Sequence, residues 1–361
     1  RGLELAAVCD IRPERLAESR RRFPGVARFA DYRELLASGG AQAAVVAVPH
    51  PLHGEIASAA LGAGLHTLVE KPMEVSVTKA RRLAEDARKS GKVFAIMLNQ
   101  RTNPLYRKAR EIVQGGELGE MKRTVWIITN WYRTQHYYDS GSWRATWAGE
   151  GGGVLLNQCP HQLDLWQWIC GMPVSVLSQM RFGQWHDIEV EDDVTTYVEY
   201  ANGATGVFVT TTGDAHGTNR FEIQMDRAKL VVEDGQLHVL EFEVSEPEWS
   251  RTNKAPFATM PAHEVAVETD GKNEQHVGVI NAWGGAILRG TPLVAHGSEG
   301  IYGLTLSNAM HLSAFLGKKV ELPLDEDLFY TELMKRVATS RRKADTQAVF
   351  ADTSSTYGGN R

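Results

Sequence analysis

The chain has 361 residues, 43% of them apolar and 23% charged, which is the composition of a soluble globular protein and allows two domains with a core each. A net charge of −5, the lack of a basic block and the lack of an apolar stretch long enough to cross a bilayer argue against nucleic acid and membrane as partners. Three cysteines without metal-ligand spacing predict no metal site and favour a reducing compartment, the cytoplasm.

The first hundred residues alternate short apolar runs with helical stretches. Pro13 in a first helical turn predicts a helix over 14–22, and further helices are expected over about 53–62 and 75–90. Buried strands are predicted over residues 5–9, 43–48, 65–69 and 93–98. Unbroken apolar strands that alternate with helices indicate a parallel sheet covered on both faces, which is the doubly wound α/β arrangement.

After about residue 120 the pattern changes to longer, alternating strands. Asn202-Gly203 and Asp234-Gly235 each lie between two such strands, which is a strong hairpin signal. Helices are expected over about 274–289 and 298–316, and a loop over about 246–262. The predicted fold is α/β, with a Rossmann-like dinucleotide-binding domain over residues 1–101 and an α+β domain with a large mixed or antiparallel sheet over 102–361.

A dinucleotide-binding domain ordinarily begins with a strand and a Gly-x-Gly-x-x-Gly turn, followed about 20 positions later by an acidic residue. Asp10 ends the first predicted strand, where that acid belongs, but no such glycine turn occurs in the first hundred residues. We therefore expect about 25 to 30 residues, with the first strand and the glycine turn, to precede Arg1. The carboxylate of Asp10 would accept the ribose hydroxyls of NAD; a plain turn residue before a helix is the alternative.

The tripeptide Glu70-Lys71-Pro72 follows the apolar run at 65–69. A lysine there is held at the carboxyl end of a buried strand, which is the edge at which open α/β sheets bind ligands. The motif is weak on its own, because a lysine at the end of a strand can also simply reach solvent.

A second cluster lies about 85 residues further on, where Gly151-Gly152-Gly153 allows a ligand to approach the backbone closely. Asn157 and His161, four residues apart, can share one helical face, and Asp164 lies three residues further along. Pro160 is tolerated only in the first turn of a helix, so the helix either starts late, near Asn157, or is kinked. The alternative to a catalytic role is an amphipathic helix with a hydrogen-bonded histidine.

Together the two motifs resemble the Gfo/Idh/MocA family of nicotinamide-dependent sugar and polyol oxidoreductases, and the resemblance runs along nearly the whole chain. It implies that NAD is the cofactor and favours NAD over NADP. Arg12 could pair with the 2′-phosphate of NADP, but the carboxylate of Asp10 would repel that phosphate. The implied cofactor-binding residues are Asp10, Ile11, Arg12, Val48, Pro49, His50, His53, Glu70 and Lys71. For the side chains at 48–53 a plain strand-to-helix turn stays open, and a cis bond is expected before Pro72.

The resemblance also implies the catalytic residues. Lys71 would hydrogen-bond the substrate hydroxyl, and His161, an imidazole with an ordinary pKa of about 6.5, would take up the proton. Asn157 stands where the family often has aspartate and would orient the substrate or His161, because an amide cannot accept a proton. The expected substrate-binding residues are Lys71, Trp143, Arg144, Trp147, Asn157 and His161. For the aromatic members, a role in an oligomer interface is an open alternative.

The resemblance implies an NAD-dependent oxidoreductase that oxidises a secondary hydroxyl, at C3, of a sugar or glycoside. The mechanism requires the ammonium of Lys71 and the imidazole of His161 to converge on one carbinol. One alternative cleaves a glycoside without net redox change, by transient oxidation at C3 and elimination. Another is a non-catalytic regulator that binds the dinucleotide. A homodimer or homotetramer is expected, because the broad sheet of the second domain has one exposed face.

Overall fold

A computed structural model describes residues 2–341, which divide into two compact units. The first unit comprises residues 2–98 and 276–301, and the second comprises 99–275 and 302–341. The chain therefore leaves the first unit once and returns to it for a short segment. Each unit is described separately.

The first unit contains parallel strands connected by helices. Its strands are β1 (Ala7–Cys9), β2 (Ala27–Phe29), β3 (Ala43–Val46), β4 (His66–Val69) and β5 (Phe94–Ile96). The helices between them are α1 (Pro13–Arg22), α2 (Tyr32–Ala37), α3 (His53–Gly62) and α4 (Val77–Ser90). β1 pairs with β2, and β3, β4 and β5 form a second sheet, with every pairing parallel. This alternation is the predicted α/β arrangement.

Local sequence explains where these elements begin and end. A proline occupies the first turn of α1, where the missing N–H has no helical partner to lose. α4 buries Val77, Ala80, Leu83 and Ala87, whose spacing of three and four residues places them on one face. The helix stops before Gly91, whose φ of 63° is the left-handed conformation that glycine adopts without strain.

The second unit is built on a nine-stranded mixed sheet. Its strands are β6 (Met121–Ile128), β7 (Ser175–Phe182), β8 (Glu191–Glu199), β9 (Thr205–Thr211), β10 (Asn219–Met225), β11 (Ala228–Glu233), β12 (Gln236–Phe242), β13 (Ala262–Val265) and β14 (Val320–Glu321). The helices after residue 98 are α5 (Pro104–Gly115), α6 (Gln135–Asp139), α7 (Val154–Asn157), α8 (Pro160–Cys170), α9 (Glu246–Thr252), α10 (Gln275–Arg289), α11 (Gly300–Leu316) and α12 (Glu326–Thr339). The strand order is β13-β12-β11-β10-β6-β9-β8-β7-β14, and β6 pairs with β9 in parallel, whereas the other neighbours are antiparallel.

Both predicted hairpins are present. β8 and β9 pair around Asn202-Gly203, and β11 and β12 pair around Asp234-Gly235. The φ angles of Asp234 and Gly235 are 49° and 72°, and a type I′ turn requires such a left-handed pair. Asp234-Gly235 occupies the two central positions of its turn, whereas a longer loop over 200–204 joins β8 and β9.

The predicted loop over 246–262 is wrong in part, because Glu246–Thr252 forms α9. Pro247 lies in its first turn, where proline is favoured. Glu246 and Glu248 in the same turn complement the positive end of the helix dipole. These start signals outweigh the polar, irregular composition of the segment.

The sequence-based division places residues 276–301 in the second domain, whereas the structure assigns them to the first unit. Val279 and Trp283 of α10 are buried in one apolar cluster with Leu68 of β4 and Ala95 of β5. The segment therefore covers one face of the parallel sheet. The contacts that place this segment join residues about 200 positions apart in the chain, so no local sequence pattern indicates the assignment.

One stacked aromatic pair fixes α8 on the sheet of the second unit, and a second pair lies within that sheet. The ring of Trp166 in α8 stacks on Phe208 of β9, with centroids 5.4 Å apart, and its Nε1 donates to Thr124 of β6 over 3.1 Å. Trp126 of β6 stacks on Phe221 of β10 with centroids 4.2 Å apart. α8 is thus held against the centre of the sheet.

Candidate active site

In the first unit, Glu70-Lys71-Pro72 lies at the carboxyl end of β4. The backbone N–H of Glu70 donates to Val46 O, so the strand pairing continues up to the lysine. The Lys71–Pro72 peptide bond is cis, as expected, and the N–H of Lys71 donates to the carboxylate of Glu70 over 3.2 Å. Lys71 is therefore fixed in the turn at the edge of the sheet where ligands bind in this fold class.

His53 joins the ends of two neighbouring strands. Its Nδ1 lies 2.7 Å from Pro72 O, and its Nε2 lies 2.7 Å from Val48 O. The ring is buried, and this burial lowers the pKa of His53, with the charge of Lys71 acting in the same direction. The structure thus gives His53 a positioning role in the turn that was predicted to line the cofactor.

The neighbouring members of that turn are arranged around His53. Val48 and Pro49 lead into a single 3₁₀ turn over His50–Leu52, directly before α3. The buried ring of His50 lies 5.9 Å from that of His53, centroid to centroid. Side chains at 48–50 therefore belong to one compact strand-to-helix connection.

Sequence analysis did not single out Glu74, which holds the turn after the lysine. Its buried carboxylate accepts hydrogen bonds from Gly54 N over 3.1 Å and from Val75 N over 2.9 Å. A side chain at position 54 would place its Cβ 2.2 Å from Glu74 Oε1, so glycine is required there. Burial raises the pKa of Glu74, against the effect of its N–H donor from Val75. The only sequence signal was a carboxylate inside an apolar stretch.

Burial likewise raises the pKa of Glu70, while the charges of Lys71 and His276 oppose the shift. His276 belongs to the segment that returns to the first unit, near the start of α10. An imidazole from the returning segment thus lies near the carboxylate beside the candidate catalytic lysine. Sequence reasoning could not find it, because about 200 residues separate the two positions.

Asp10 ends β1, and its Oδ1 accepts the backbone N–H of Arg12 over 2.9 Å. The guanidinium of Arg12 lies 3.7 Å from the same oxygen, so the arginine is turned towards the carboxylate. Ile11 between them is 84% exposed. A partly exposed carboxylate at the end of this strand has the acceptor chemistry that the ribose hydroxyls of NAD require, so the residues present fit this cofactor.

In the second unit, Glu191 organises the Gly151-Gly152-Gly153 turn. Its buried carboxylate accepts Gly153 N over 2.8 Å and Leu155 N over 3.0 Å, at the start of α7. A Cβ on Gly153 would lie 2.1 Å from Glu191 O, so the close approach that the glycines permit is to the protein's own backbone. Glu191 also pairs with the buried imidazole of His311 over 3.0 Å.

Pro160 divides the helix on which Asn157 and His161 were expected to lie. α7 ends at Asn157, and α8 begins at Pro160 with the proline in its first turn. The structure therefore has two short helices separated by a break, which is neither a single helix that starts near Asn157 nor one kinked helix. His161 lies in the first turn of α8 and is buried.

Asn157 lies in a polar network with Tyr137 at its centre. The hydroxyl oxygen of Tyr137 accepts from Arg144 over 2.9 Å and from the amides of Asn157 and Gln158 over 3.3 Å each. The guanidinium of Arg144 also lies 4.6 Å from the ring centroids of Tyr137 and Trp143. Three predicted site residues, Asn157, Arg144 and Trp143, are thus brought together within one unit.

The other two predicted positions have structural partners. Trp147 is buried and packs its ring against Phe182, His311 and Phe315. Asp164 forms a bidentate ion pair with Arg101, with N–O distances of 2.8 and 2.7 Å. Both partners are buried, so the carboxylate of Asp164 neutralises a buried arginine.

Among residues 2–341, no group of three or more potential ligands is arranged to hold a metal ion. Within the same range, no helix combines the length and apolar character needed to span a membrane.

Two family models match the chain. Residues 1–98 match the model described as "Oxidoreductase family, NAD-binding Rossmann fold", and residues 106–231 match "GFO/IDH/MocA C-terminal domain". The predicted fold class and the predicted NAD-binding domain are thereby confirmed.

Curated relatives and solved structures agree with these matches. Levoglucosan dehydrogenase of Pseudarthrobacter phenanthrenivorans is 25% identical over 282 residues, which cover 71% of this chain and 72% of that protein. D-glucoside 3-dehydrogenase of Escherichia coli is 28% identical over 56% of this chain and 60% of that protein, and the chain spans about half of two further relatives. The WlbA dehydrogenase from Bordetella pertussis, solved in complex with NADH and UDP-GlcNAcA, is 25% identical with a TM-score of 0.76, over 89% of this chain and 90% of that one.

Proposed function

Since the chain belongs to the GFO/IDH/MocA family of oxidoreductases and contains its NAD-binding Rossmann domain, we propose that it oxidises a secondary hydroxyl of a sugar or glycoside, at C3. The relatives are named as dehydrogenases of levoglucosan and of D-glucosides, the latter at position 3, which supports both the substrate class and the carbon.

Oxidation of a carbinol to a ketone removes a hydride from carbon and a proton from oxygen. Hydride acceptance is the chemistry that NAD supplies when bound. We assign the proton to the imidazole of His161, which is an effective base near neutral pH. Lys71 donates a hydrogen bond to the hydroxyl oxygen, and Asn157 orients the same group. Trp143 and Arg144, which lie beside Asn157 through Tyr137, are assigned to the sugar ring.

The position of Lys71 is the observation that carries this proposal. The lysine stands at the carboxyl end of β4, between the carboxylate of Glu70 and a cis proline, in the unit that matches the NAD-binding model. Its backbone is fixed by strand pairing to β3 and by the carbonyl of Pro72, which His53 holds. A backbone fixed this firmly restricts where the lysine side chain can reach, which favours a catalytic group because less positional freedom is lost on binding.

The test incubates the full chain and NAD with levoglucosan, methyl β-D-glucopyranoside and myo-inositol, and follows NADH absorbance and the mass of the product. With the best substrate, Lys71→Ala should lower kcat/KM by at least about 10²-fold, the lower end for a positioned acid–base group. Lys89→Ala is the matched control, because this lysine of α4 is 65% exposed and pairs with Glu85 on the surface of the helix. Unchanged turnover in Lys71→Ala would remove the lysine from the mechanism.

The same assay separates the alternatives. A ketone with accumulating NADH supports the dehydrogenase. Release of methanol from the methyl glucoside without accumulation of NADH would identify redox-neutral cleavage instead. Tight binding of NAD without turnover of any member of the panel would favour a dinucleotide-binding regulator.

We propose in addition that the protein assembles as a homodimer or homotetramer. The exposed apolar residues Leu177 of β7, Tyr197 of β8 and Leu240 of β12 lie on strands of the large sheet and support this assignment. Light scattering after gel filtration tests it, since a monomer mass would refute it. The cytoplasmic location stays a prediction from the cysteine pattern.

A further inference from the structure

Glu150 is a buried carboxylate that neither the motifs nor the proposed mechanism uses. It directly precedes the Gly151-Gly152-Gly153 turn and is 1% exposed. One oxygen, Oε2, accepts the backbone N–H of Ala145 over 2.6 Å, and the other, Oε1, accepts from Nδ2 of Asn157. The same side chain therefore holds two separate parts of the candidate substrate site.

The contact to Ala145 fixes the loop that carries Trp143 and Arg144. Ala145 has a φ of 55°, in the left-handed region that residues other than glycine rarely adopt, and it is fully buried. Such a conformation persists only where the surroundings hold it. The carboxylate of Glu150 supplies that hold directly at the N–H of Ala145, next to Arg144 in the chain.

The contact to Asn157 decides which way its amide faces. A carboxylate only accepts hydrogen bonds, so the amide nitrogen, and not the carbonyl oxygen, must face Glu150. The same nitrogen faces the hydroxyl of Tyr137 at 3.3 Å. Because the amide is planar, its carbonyl oxygen then points to the opposite side of the side chain.

We propose that Glu150 is a positioning residue, which turns the carbonyl oxygen of Asn157 towards the substrate hydroxyl and fixes the Trp143–Arg144 loop with the same carboxylate. This inference rests on the proposed function for its substrate. In a relative with aspartate at position 157, the two carboxylate oxygens would be equivalent acceptors, so no neighbouring residue would need to select the orientation of that side chain. Here the asparagine makes that selection necessary, and Glu150 provides it.

The charge of Glu150 links this positioning to pH. Burial raises its pKa to about 7, with a contribution from Glu191, while the N–H of Ala145, Arg144 and Asn157 oppose the shift. The charged and titratable groups that face Glu150 from neighbouring elements are Arg144, Tyr138 and Glu191. Protonation removes the charge and converts one oxygen into a hydroxyl, which accepts hydrogen bonds more weakly, so the acid holds Ala145 and Asn157 less firmly than the carboxylate does. Positioning is complete above the pKa and weakens below it.

The first variant is Glu150→Gln, which keeps the shape but replaces one acceptor by an N–H₂ donor. With methyl β-D-glucopyranoside or the best substrate of the panel, kcat/KM should fall at least about 10-fold at high pH, and the acidic limb of its pH profile near 7 should disappear. The Kd for NAD, measured by quenching of protein fluorescence, should stay unchanged. A limb near 7 that persists in Glu150→Gln belongs to another group, such as His161, and would overturn the proposal.

The second test exchanges the hydrogen-bond donor and acceptor between positions 150 and 157. In Asn157→Asp two carboxylates face each other, and activity should fall. In the double variant Glu150→Gln/Asn157→Asp, the glutamine amide donates to the new carboxylate, and part of the lost kcat/KM should return. A double variant that is weaker than both single variants would show that no such pair orients the substrate.

A readout without substrate separates this inference from the proposed function. The side-chain amide signal of Asn157 in a ¹⁵N spectrum, identified by its absence in Asn157→Asp, should shift with an apparent pKa near 7 in the parent protein and stay constant in Glu150→Gln. A titrating amide in a protein that oxidises no sugar would sink the proposed function alone. An amide signal that does not respond to pH would sink the positioning role, whatever the activity.

Discussion

The buried ion pair between Arg101 and Asp164 gives the sharpest stability prediction. Their side chains are 2% and 4% exposed, and two N–O contacts of 2.8 and 2.7 Å join them in a fork. Gln167 donates to the same carboxylate over 3.1 Å, and the guanidinium lies 5.2 Å from the ring centroid of Trp168. Asp164→Ala would leave the guanidinium buried without its counter-charge.

Removal of one partner of a buried pair typically costs about 3 to 5 kcal/mol, because the remaining charge stays desolvated. Replacement of both partners by apolar side chains of similar volume is often nearly neutral, because no charge is then buried. We therefore expect Asp164→Ala to lower the free energy of unfolding by about 3 to 5 kcal/mol, and Arg101→Met/Asp164→Leu to recover most of this loss.

The assay is urea unfolding of the full chain at neutral pH, followed by tryptophan fluorescence. The matched control is Asp270→Ala, since Asp270 pairs with Arg107 over 2.8 Å in the same unit but both side chains are more than 40% exposed (42% and 44%). Water and salt screen an exposed pair so that it contributes little to stability, and the control should unfold almost like the parent. If Asp164→Ala behaved like the control, the carboxylate would not be structural, and a role beside His161 would have to be reconsidered.

Three further predictions follow from single contacts. Gly54→Ala should lower the free energy of unfolding by about 1 to 3 kcal/mol in the same urea assay, because its Cβ would lie 2.2 Å from Glu74 Oε1; an unchanged midpoint would contradict the contact. Asp10→Ala should weaken NAD binding about 10-fold, as quenching of protein fluorescence would measure, through the loss of a charged acceptor. Burial lowers the pKa of His311, but the charge of Glu191 outweighs this effect and raises the pKa above 6.5. Burial raises the pKa of Glu191, but His311 and two N–H donors outweigh that effect and lower the pKa below 4.5. The stabilisation by this pair is therefore largest between these two ordinary values: it is lost as the pH rises through the raised pKa of His311 or falls through the lowered pKa of Glu191. Thermal unfolding across pH should show that His311→Gln loses the alkaline part of this dependence, and an identical profile would refute the pairing.

Local patterns determined much of the fold. Apolar runs alternating with helices predicted the parallel strands of the first unit, and the dipeptides Asn202-Gly203 and Asp234-Gly235 predicted two hairpins. Each of these signals is a conformational preference of adjacent residues, so it can be recognised without knowledge of the rest of the chain. The cis bond at Lys71–Pro72, by contrast, was expected from the resemblance to the family.

Local patterns predict the structure less well where one segment contains signals for two different conformations. In the segment that contains α9, irregular polar composition predicted a loop, but a proline and two acidic residues in one turn favour a helix. Between Asn157 and Pro160, the sequence allowed a late start or a kink, and the structure has a break between two helices. Such choices differ by small free energies, so packing of the flanking residues decides them.

The sequence by itself determined the α/β fold class, and it led to the proposal that Lys71 and His161 carry the chemistry. Tertiary structure alone decided the partners: the carboxylate of Glu150 on Asn157, the arginine that binds Asp164, and the return of residues 276–301 to the first sheet. The physical reason is the cost of burying charge and polar groups, which must find partners wherever the folded chain supplies them. Those partners lie at arbitrary distances along the chain, so no spacing rule in the sequence records them.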